Sequence, residues 1–232
     1  MSTDGVRVPP SSGWAQGVHI AITGLIGAGK TTLCTSLAEA LGLPAYYESV
    51  IENAYLNDFY ADQEKHSFPL QIYLLNNRFR QQQQLVWSNL GGVQDRSIYE
   101  DSIFAKMLWS SGKMTTRDYR TYVDLFKNMS NFMRKPSILV HLDVSPEESL
   151  RRIKERSRGM EAGIPLEYLQ KLREGYEEFL QDISKTIPVI RVNWESFKHI
   201  DEMVAMIKQE FDNLHNIRTV DWKDHVSADE SV

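Results

Sequence analysis

Gly24-Leu25-Ile26-Gly27-Ala28-Gly29-Lys30-Thr31 fits the spacing G-x-x-x-x-G-K-[ST]. Glycines at those positions let a loop curl until its backbone N–H groups converge on phosphate oxygens; Lys30 adds a mobile positive charge, and the Thr31 hydroxyl can ligate Mg²⁺. Two carboxylates stand where a reaction on that phosphate would need them. Ala45-Tyr46-Tyr47 reads as a strand ending in Glu48, and Gly92-Val93-Gln94 as one ending in Asp95-Arg96-Ser97. A carboxylate that closes a strand beside a phosphate loop can hold Mg²⁺ or take a proton. Asp95 is the metal partner by analogy with other phosphate-loop enzymes, which leaves Glu48 as the candidate general base. The competing reading of Glu48 is a helix cap or a surface charge. Arg96 can steady phosphate oxygens and keep Glu48 ionised, because a neighbouring positive charge lowers a carboxylate pKa.

A further cluster, Arg151, Arg152, Lys154, Arg156 and Arg158, puts five cations into eight residues of a chain whose formal net charge is -5. Such a run is commonly a solvated helix face. Here it leads into Ser157-Arg158-Gly159-Met160-Glu161-Ala162-Gly163, where glycines permit hinging. Phosphoryl transfer needs charge neutralisation and exclusion of water, and a closing arginine lid supplies both, so the lid is the preferred reading.

These residues require elements to position them. Apolar runs predict strands near 18–23, 45–48, 92–95, 137–143 and 188–192. Helical patterns fill the intervals: 31–41 with Leu33, Leu37 and Leu41 on one face, then 68–89, 98–111, 116–133, 146–157, 165–183 and 199–215. The longest should present Leu70, Tyr73, Leu74, Asn77 and Phe79. Strands that alternate with helices, without hairpin signals, predict an α/β fold: one parallel five-stranded sheet covered on both faces, with its ligand crevice beyond the strands' C-terminal ends.

Bulk properties narrow the classes. At 232 residues, one domain over 18–215 with a lid near 152–163 is expected, between a flexible tail at 1–17 and a polar one at 216–232. The acidic balance argues against a nucleic-acid polymer as partner. No run approaches the ~18 apolar residues of a membrane-spanning helix. A single cysteine, Cys34, excludes an internal disulfide and suits a reducing compartment. The first 17 residues make a poor presequence, so the cytoplasm is the default location.

Together, Gly24 to Thr31, Glu48-Ser49-Val50, Phe68-Pro69-Leu70-Gln71, Asp95-Arg96-Ser97-Ile98-Tyr99-Glu100-Asp101, Arg156 through Glu161, and Gly163-Ile164-Pro165-Leu166-Glu167-Tyr168-Leu169 carry a resemblance. The chain resembles the deoxynucleoside kinase family from about Val18 to Phe197, and looks most like its deoxyadenosine kinase branch, with relatives that accept deoxyguanosine or deoxycytidine. The resemblance implies a P-loop kinase that phosphorylates a deoxynucleoside on its 5′-hydroxyl with ATP and Mg²⁺. Glu48 would take the hydroxyl proton. Arg96 would stabilise the transferring group, while Thr31 and Asp95 would hold the metal. The ATP site would run from Gly24 through Thr32, with Arg152, Arg156 and Arg158 from the lid and the loop bearing Glu195 and Phe197 against the adenine. Gln71 would pair with the acceptor base, because an amide offers both a donor and an acceptor. Arg78 and Asp101 would lie near the exocyclic amino group, Tyr60 and Glu161 on the sugar 3′-hydroxyl, and Phe104 against the base. Two departures stand out: Ser49 and Asn53 replace a proline and a tryptophan of several animal relatives, and the spacing from Asp101 to Phe104 is one residue short. The family also implies a homodimer formed through two long helices, with 68–89 and 98–133 as candidates.

Other readings stay distinguishable. A thymidylate-type kinase shares the loop, an Asp-Arg motif and a lid, but its acceptor already carries a phosphate, which Glu48 would repel. A catalytically silent structural member is disfavoured by intact Lys30, Glu48 and Arg96. No guanine-reading Asn-Lys-x-Asp motif follows the fourth strand, where His141-Leu142-Asp143-Val144 stands instead.

Overall fold

The computed structural model describes residues 17–48, 54–156, 163–196 and 200–215. Ser49, Asn53, Arg158, Glu161, Phe197 and both predicted tails lie outside the described residues, apart from Gly17.

Five strands, β1 (His19–Gly24), β2 (Ala45–Tyr46), β3 (Gly92–Asp95), β4 (Ile138–Asp143) and β5 (Val189–Asn193), form one sheet in the order β2-β3-β1-β4-β5. All pairings are parallel. Among the described residues the helices are α1 (Lys30–Leu41), α2 (Leu56–Ala61), α3 (Gln63–Ser88), α4 (Asp101–Ser110), α5 (Thr116–Asn131), α6 (Pro146–Arg156), α7 (Leu166–Ile183) and α8 (Ile200–His215), with a 3₁₀ turn at Ile98–Glu100. This is the expected α/β architecture. The central strands β1 and β4 are buried nearly end to end, as a parallel sheet with helices on both faces requires. None of the described helices is long and apolar enough to cross a membrane.

Three local readings needed correction. β2 is only two residues long, so Glu48 sits two residues past it instead of closing it. The Tyr47 carbonyl accepts from Gln81 Nε2 at 2.6 Å, which takes the chain out of the strand ladder and toward α3. The second concerns α3, which begins five residues before the expected Phe68. Asp62 caps it by accepting from the Lys65 backbone N–H at 3.2 Å, and Pro69 is carried inside the helix. Its buried stripe is also different: Gln71, Leu75, Arg78, Gln82 and Leu85 recur at helical spacing. Three of those five are polar, so a search for apolar periodicity finds Leu70, which is buried, and Leu74 and Phe79, which pack against the core, but misses the polar part of the buried face. Third, α2 had no element assigned to it.

The order β2-β3-β1-β4-β5 makes β1 the strand from which the connections depart in opposite directions, and a crevice opens there beyond the C-terminal ends. The register puts Ile22 beside Asp95 and Gly24 beside Leu142, so the phosphate loop leaves β1 level with the end of β3. Gly24 has φ +146°, and a Cβ there would come within 2.8 Å of the Leu142 carbonyl oxygen. Gly27, at φ +79°, lies against the Ser149 carbonyl, where a Cβ would meet it at 3.0 Å. Only glycine permits both the turn and the close approach of α6.

The sheet interior also holds two neutral histidines. His19 on β1 pairs through Nε2 with Gln94 Oε1 at 2.9 Å, and His141 on β4 packs against the Tyr176 ring. Burial pushes both down from an ordinary 6.5 to about 4. The unfolded chain therefore binds these protons first as pH falls. Stability should be full above pH 6.5 and lost progressively toward pH 4, by at most about 3 kcal/mol per histidine. Denaturant unfolding between pH 7 and 4.5, a window above most carboxylate titration, should show this slope, and a His19→Gln/His141→Gln variant should show a flatter one. A slope unchanged by the double substitution would contradict the assignment.

Candidate active site

The phosphate loop is built for an anion. Gly29 precedes α1 without any side-chain cap, so the first amides of a twelve-residue helix are left for another acceptor. Lys30 is buried, and its Nζ donates to the Leu25 carbonyl of its own loop at 2.7 Å. Burial, aided by Arg96, lowers its pKa to about 8. Ser149 on α6 donates to the Ile26 carbonyl at 2.5 Å, which braces the loop from behind.

Asp95, at the end of β3, accepts from the Thr31 hydroxyl at 2.5 Å through Oδ2. Its Oδ1 is buried with no partner among the described residues. Burial raises the carboxyl pKa, with Lys30 pulling the other way. An orphaned carboxylate oxygen beside a hydroxyl is a donor set for a hard divalent cation, whose remaining positions phosphate and water would fill. The described residues contain no cluster of three or more acidic, histidine or cysteine side chains that could cage a metal alone.

Glu48 is gripped from two sides. Arg96 Nε lies 3.0 Å from Oε2, and Arg78 Nη2 contacts Oε1. Burial by itself would raise the Glu48 pKa; the two guanidiniums outweigh it and bring it to about 2. The carboxylate is therefore ionised throughout the physiological range. Arg78 also pairs with Asp101, so one guanidinium joins Glu48 to the first residue of α4. Arg96 has the left-handed φ of +66°, unusual for a residue with a side chain. Its backbone N–H nevertheless continues the sheet by donating to the Ile22 carbonyl at 3.0 Å.

These groups share one cavity of about 310 Å³, whose wall includes Lys30 and Thr31 of the loop, the Glu48, Arg78 and Arg96 cluster, and Tyr60, Gln71 and Phe104. Gln71 is buried with its Oε1 unpartnered among the described residues, an unmet acceptor in the cavity wall. The Arg96 guanidinium carbon lies 5.3 Å from the Phe104 ring centroid, so Phe104 reaches the cavity despite the short spacing. One end of the cavity suits phosphate; the other offers an aromatic face and amide hydrogen bonding.

The arginine run divides by helical angle. Arg151 is exposed and pairs with Glu148 and Glu155, a solvated face. Arg156 lines the cavity. Arg152, expected among the phosphate-binding lid residues, is buried and turned inward. It donates to the Ala28 carbonyl at 3.2 Å and the Trp194 carbonyl at 2.7 Å, tying the phosphate loop to the segment after β5. Glu195 on that segment accepts from Ser145 through both the backbone N–H at 2.9 Å and the hydroxyl at 2.5 Å. Thr32 is exposed on the first turn of α1.

The residue reading assigned no role to Glu100, Tyr168 or Tyr176. Tyr168 lines the cavity. Glu100 and Tyr176 are buried against Arg96. All three fall near recognisable motifs, yet Tyr176 lies 80 residues from the arginine it meets, and no spacing rule connects them.

Comparison with known proteins agrees with this geometry. The family model for deoxynucleoside kinase matches residues 20–216. The chain is 60% identical over 199 residues to a deoxyadenosine kinase of Dictyostelium discoideum, covering 86% of this chain and 81% of that protein. It is 38% identical over 186 residues to a deoxyadenosine/deoxycytidine kinase of Bacillus subtilis, covering 79% and 85% respectively. A solved structure of deoxyadenosine kinase from M. mycoides with bound dATP superposes with a TM-score of 0.75 at 32% identity, over 84% of this chain and all of that one. A parallel sheet carrying a phosphate loop, a paired carboxylate lining the cavity beside that loop, and sequence similarity across nearly the whole fold lead to one assignment: the chain belongs to the deoxynucleoside kinase family.

Proposed function

We propose that this enzyme transfers the γ-phosphoryl group of ATP to the 5′-hydroxyl of a deoxynucleoside and that deoxyadenosine is its preferred acceptor. The observation that carries the reading is Glu48, ionised between Arg78 and Arg96, lining the same cavity as Lys30 and Thr31 of the phosphate loop and as Gln71 and Phe104. Glu48 takes the 5′-hydroxyl proton as the oxygen attacks the γ-phosphorus, and the bond to the β-phosphate oxygen breaks to release ADP. Lys30 and Arg96 offset the charge on the transferring group. A carboxylate with a pKa near 2 is a weak base while both arginines hold it. When Arg78 turns toward the acceptor base, it pulls less on Glu48 and the proton affinity of the carboxylate rises.

Thr31 and the free Oδ1 of Asp95 would hold Mg²⁺, which when bound supplies charge neutralisation at the phosphates. On the acceptor side, the unpaired Gln71 Oε1 suits an exocyclic amino donor, and the remaining amide suits a ring nitrogen. The deoxyadenosine and deoxyadenosine/deoxycytidine kinases among the relatives support the same choice of base. Tyr60 lines the cavity; the reading carried from the family gives it the sugar 3′-hydroxyl together with Glu161, and gives Arg156, Arg158 and Phe197 the ATP side. Arg152 and Glu195 act indirectly in this scheme, by holding the loop against which the donor nucleotide lies. A homodimer in the cytoplasm completes the proposal.

A panel of the four deoxynucleosides at fixed ATP should give the highest kcat/KM with deoxyadenosine, and Glu48→Gln should lower kcat on the order of a hundredfold or more. Preference for deoxyguanosine or deoxycytidine would correct the acceptor, and full activity of the variant would remove Glu48 from the chemistry. Lys30 provides a second check. Its depressed pKa means that the free enzyme loses this charge as pH rises through about 8, so kcat/KM for ATP should fall there. A flat profile to pH 9.5 would contradict the role given to Lys30.

A further inference from the structure

Glu100 is a fully buried carboxylate with no place in the chemistry above. Its Oε1 accepts from Arg96 Nη1 at 3.0 Å, and its Oε2 accepts from the Thr23 hydroxyl and from the Tyr176 hydroxyl, the latter at 3.2 Å. Tyr176 in turn accepts from Arg96 Nη1 at 2.9 Å and lies 3.0 Å from the Gly24 carbonyl, the first residue of the phosphate loop. A buried carboxylate is costly unless fully paired, and of the three groups paired with this one Arg96 lines the active-site cavity.

The contacts divide the Arg96 guanidinium by arm. Nε is turned to Glu48, and Nη1 is occupied by Glu100 and Tyr176. No described residue takes Nη2, and Arg96 lines the cavity. The backbone at Arg96 is itself strained, at φ +66°, a left-handed conformation that residues with a Cβ rarely adopt. Without an anchor on Nη1, the guanidinium would be drawn to the nearest remaining carboxylate, Glu48. A two-armed grip there would weaken Glu48 as a base and withdraw the arm that meets the phosphoryl group.

We infer that Glu100, together with the Tyr176 hydroxyl, is a positioning pair: it holds Nη1 so that Arg96 presents Nη2 to the transferring phosphoryl group and meets Glu48 through Nε alone, with the Tyr176 link to Gly24 keeping that aim in register with the phosphate loop. Glu100 touches neither substrate and acts through Arg96. The inference rests on the proposed function, in which Arg96 works at the phosphoryl group and takes no part in recognising the base.

The test is a double-mutant cycle on the full-length protein with ATP, Mg²⁺ and deoxyadenosine. Glu100→Gln keeps the shape of the side chain and should lower kcat on the order of tenfold to a hundredfold, with the KM for deoxyadenosine changed by less than about threefold. Tyr176→Phe, which removes a single hydroxyl, should repeat the pattern more weakly and stands alone if Glu100→Gln does not fold. In an Arg96→Ala background both substitutions should cost less than about twofold, because the group they act through is gone. A merely structural role predicts equal losses in both backgrounds. Equal losses, or unchanged kcat in the single variants of an active enzyme, overturn the inference alone. A wild-type protein inactive on all four deoxynucleosides overturns the functional reading, and this inference with it.

Discussion

The Glu48 carboxylate, held between two guanidiniums, is the interaction on which the rest of the structure turns. Taking a carboxylate out of water costs several kcal/mol, and only close, well-directed partners offset it. Here Arg78 arrives from α3 and Arg96 from the end of β3, so two separate elements must be fixed relative to each other before the ion cluster can form. Counting Lys30, Arg78, Arg96 and Arg156 against Glu48, Asp95, Glu100 and Asp101, the cavity and its support bring four cations together with four carboxylates. Such a cluster adds little net stability. What it supplies is a charge arrangement set before substrate enters, which is the larger part of what phosphoryl transfer asks of a protein.

The fold accounts for each position in that cluster. A parallel sheet with the order β2-β3-β1-β4-β5 brings the ends of β1 and β3 side by side, and thereby the phosphate loop beside Asp95 and Arg96. α6 braces the loop through Ser149 and Arg152, so the loop's shape does not depend on bound phosphate. α3 lies across the crevice with Gln71 and Arg78 on its buried stripe, two helical turns apart, one toward the base end of the cavity and one toward Glu48. Recognition of the acceptor and activation of its hydroxyl are thus carried on a single rigid element.

The phosphate loop, the strand–helix alternation and the Asp95-Arg96 pair were legible in the sequence because their chemistry is local: glycines at set spacing, and charges that end apolar runs. Helix boundaries held to within one or two residues except at the start of α4, where Ile98–Glu100 is a 3₁₀ turn, and on α3, where polar residues share the buried stripe and Pro69 imitates a helix start. Family resemblance pointed to Gln71, Arg78 and Asp101, which no periodicity would have singled out. Arg152 looked like the other arginines of its run, and only helical angle separates it, turned toward backbone carbonyls, from Arg151 in solvent. Glu100 and Tyr176 were beyond reach for another reason. Their meaning lies in contacts across long stretches of chain, which residue type and spacing do not encode.

The central claim is geometric: the acceptor's 5′-hydroxyl lies on Glu48 while its base lies on Gln71, with Arg96 aimed at the phosphoryl group between them. A crystal structure with deoxyadenosine, Mg²⁺ and a non-hydrolysable β,γ-imido analogue of ATP measures this directly. The 5′-oxygen is predicted within about 3.2 Å of a Glu48 oxygen and in line with the γ-phosphorus, with the Arg78 contact to Glu48 lengthened. An acceptor whose 5′-oxygen lies on another group, with Glu48 still clasped by both arginines, would contradict the account.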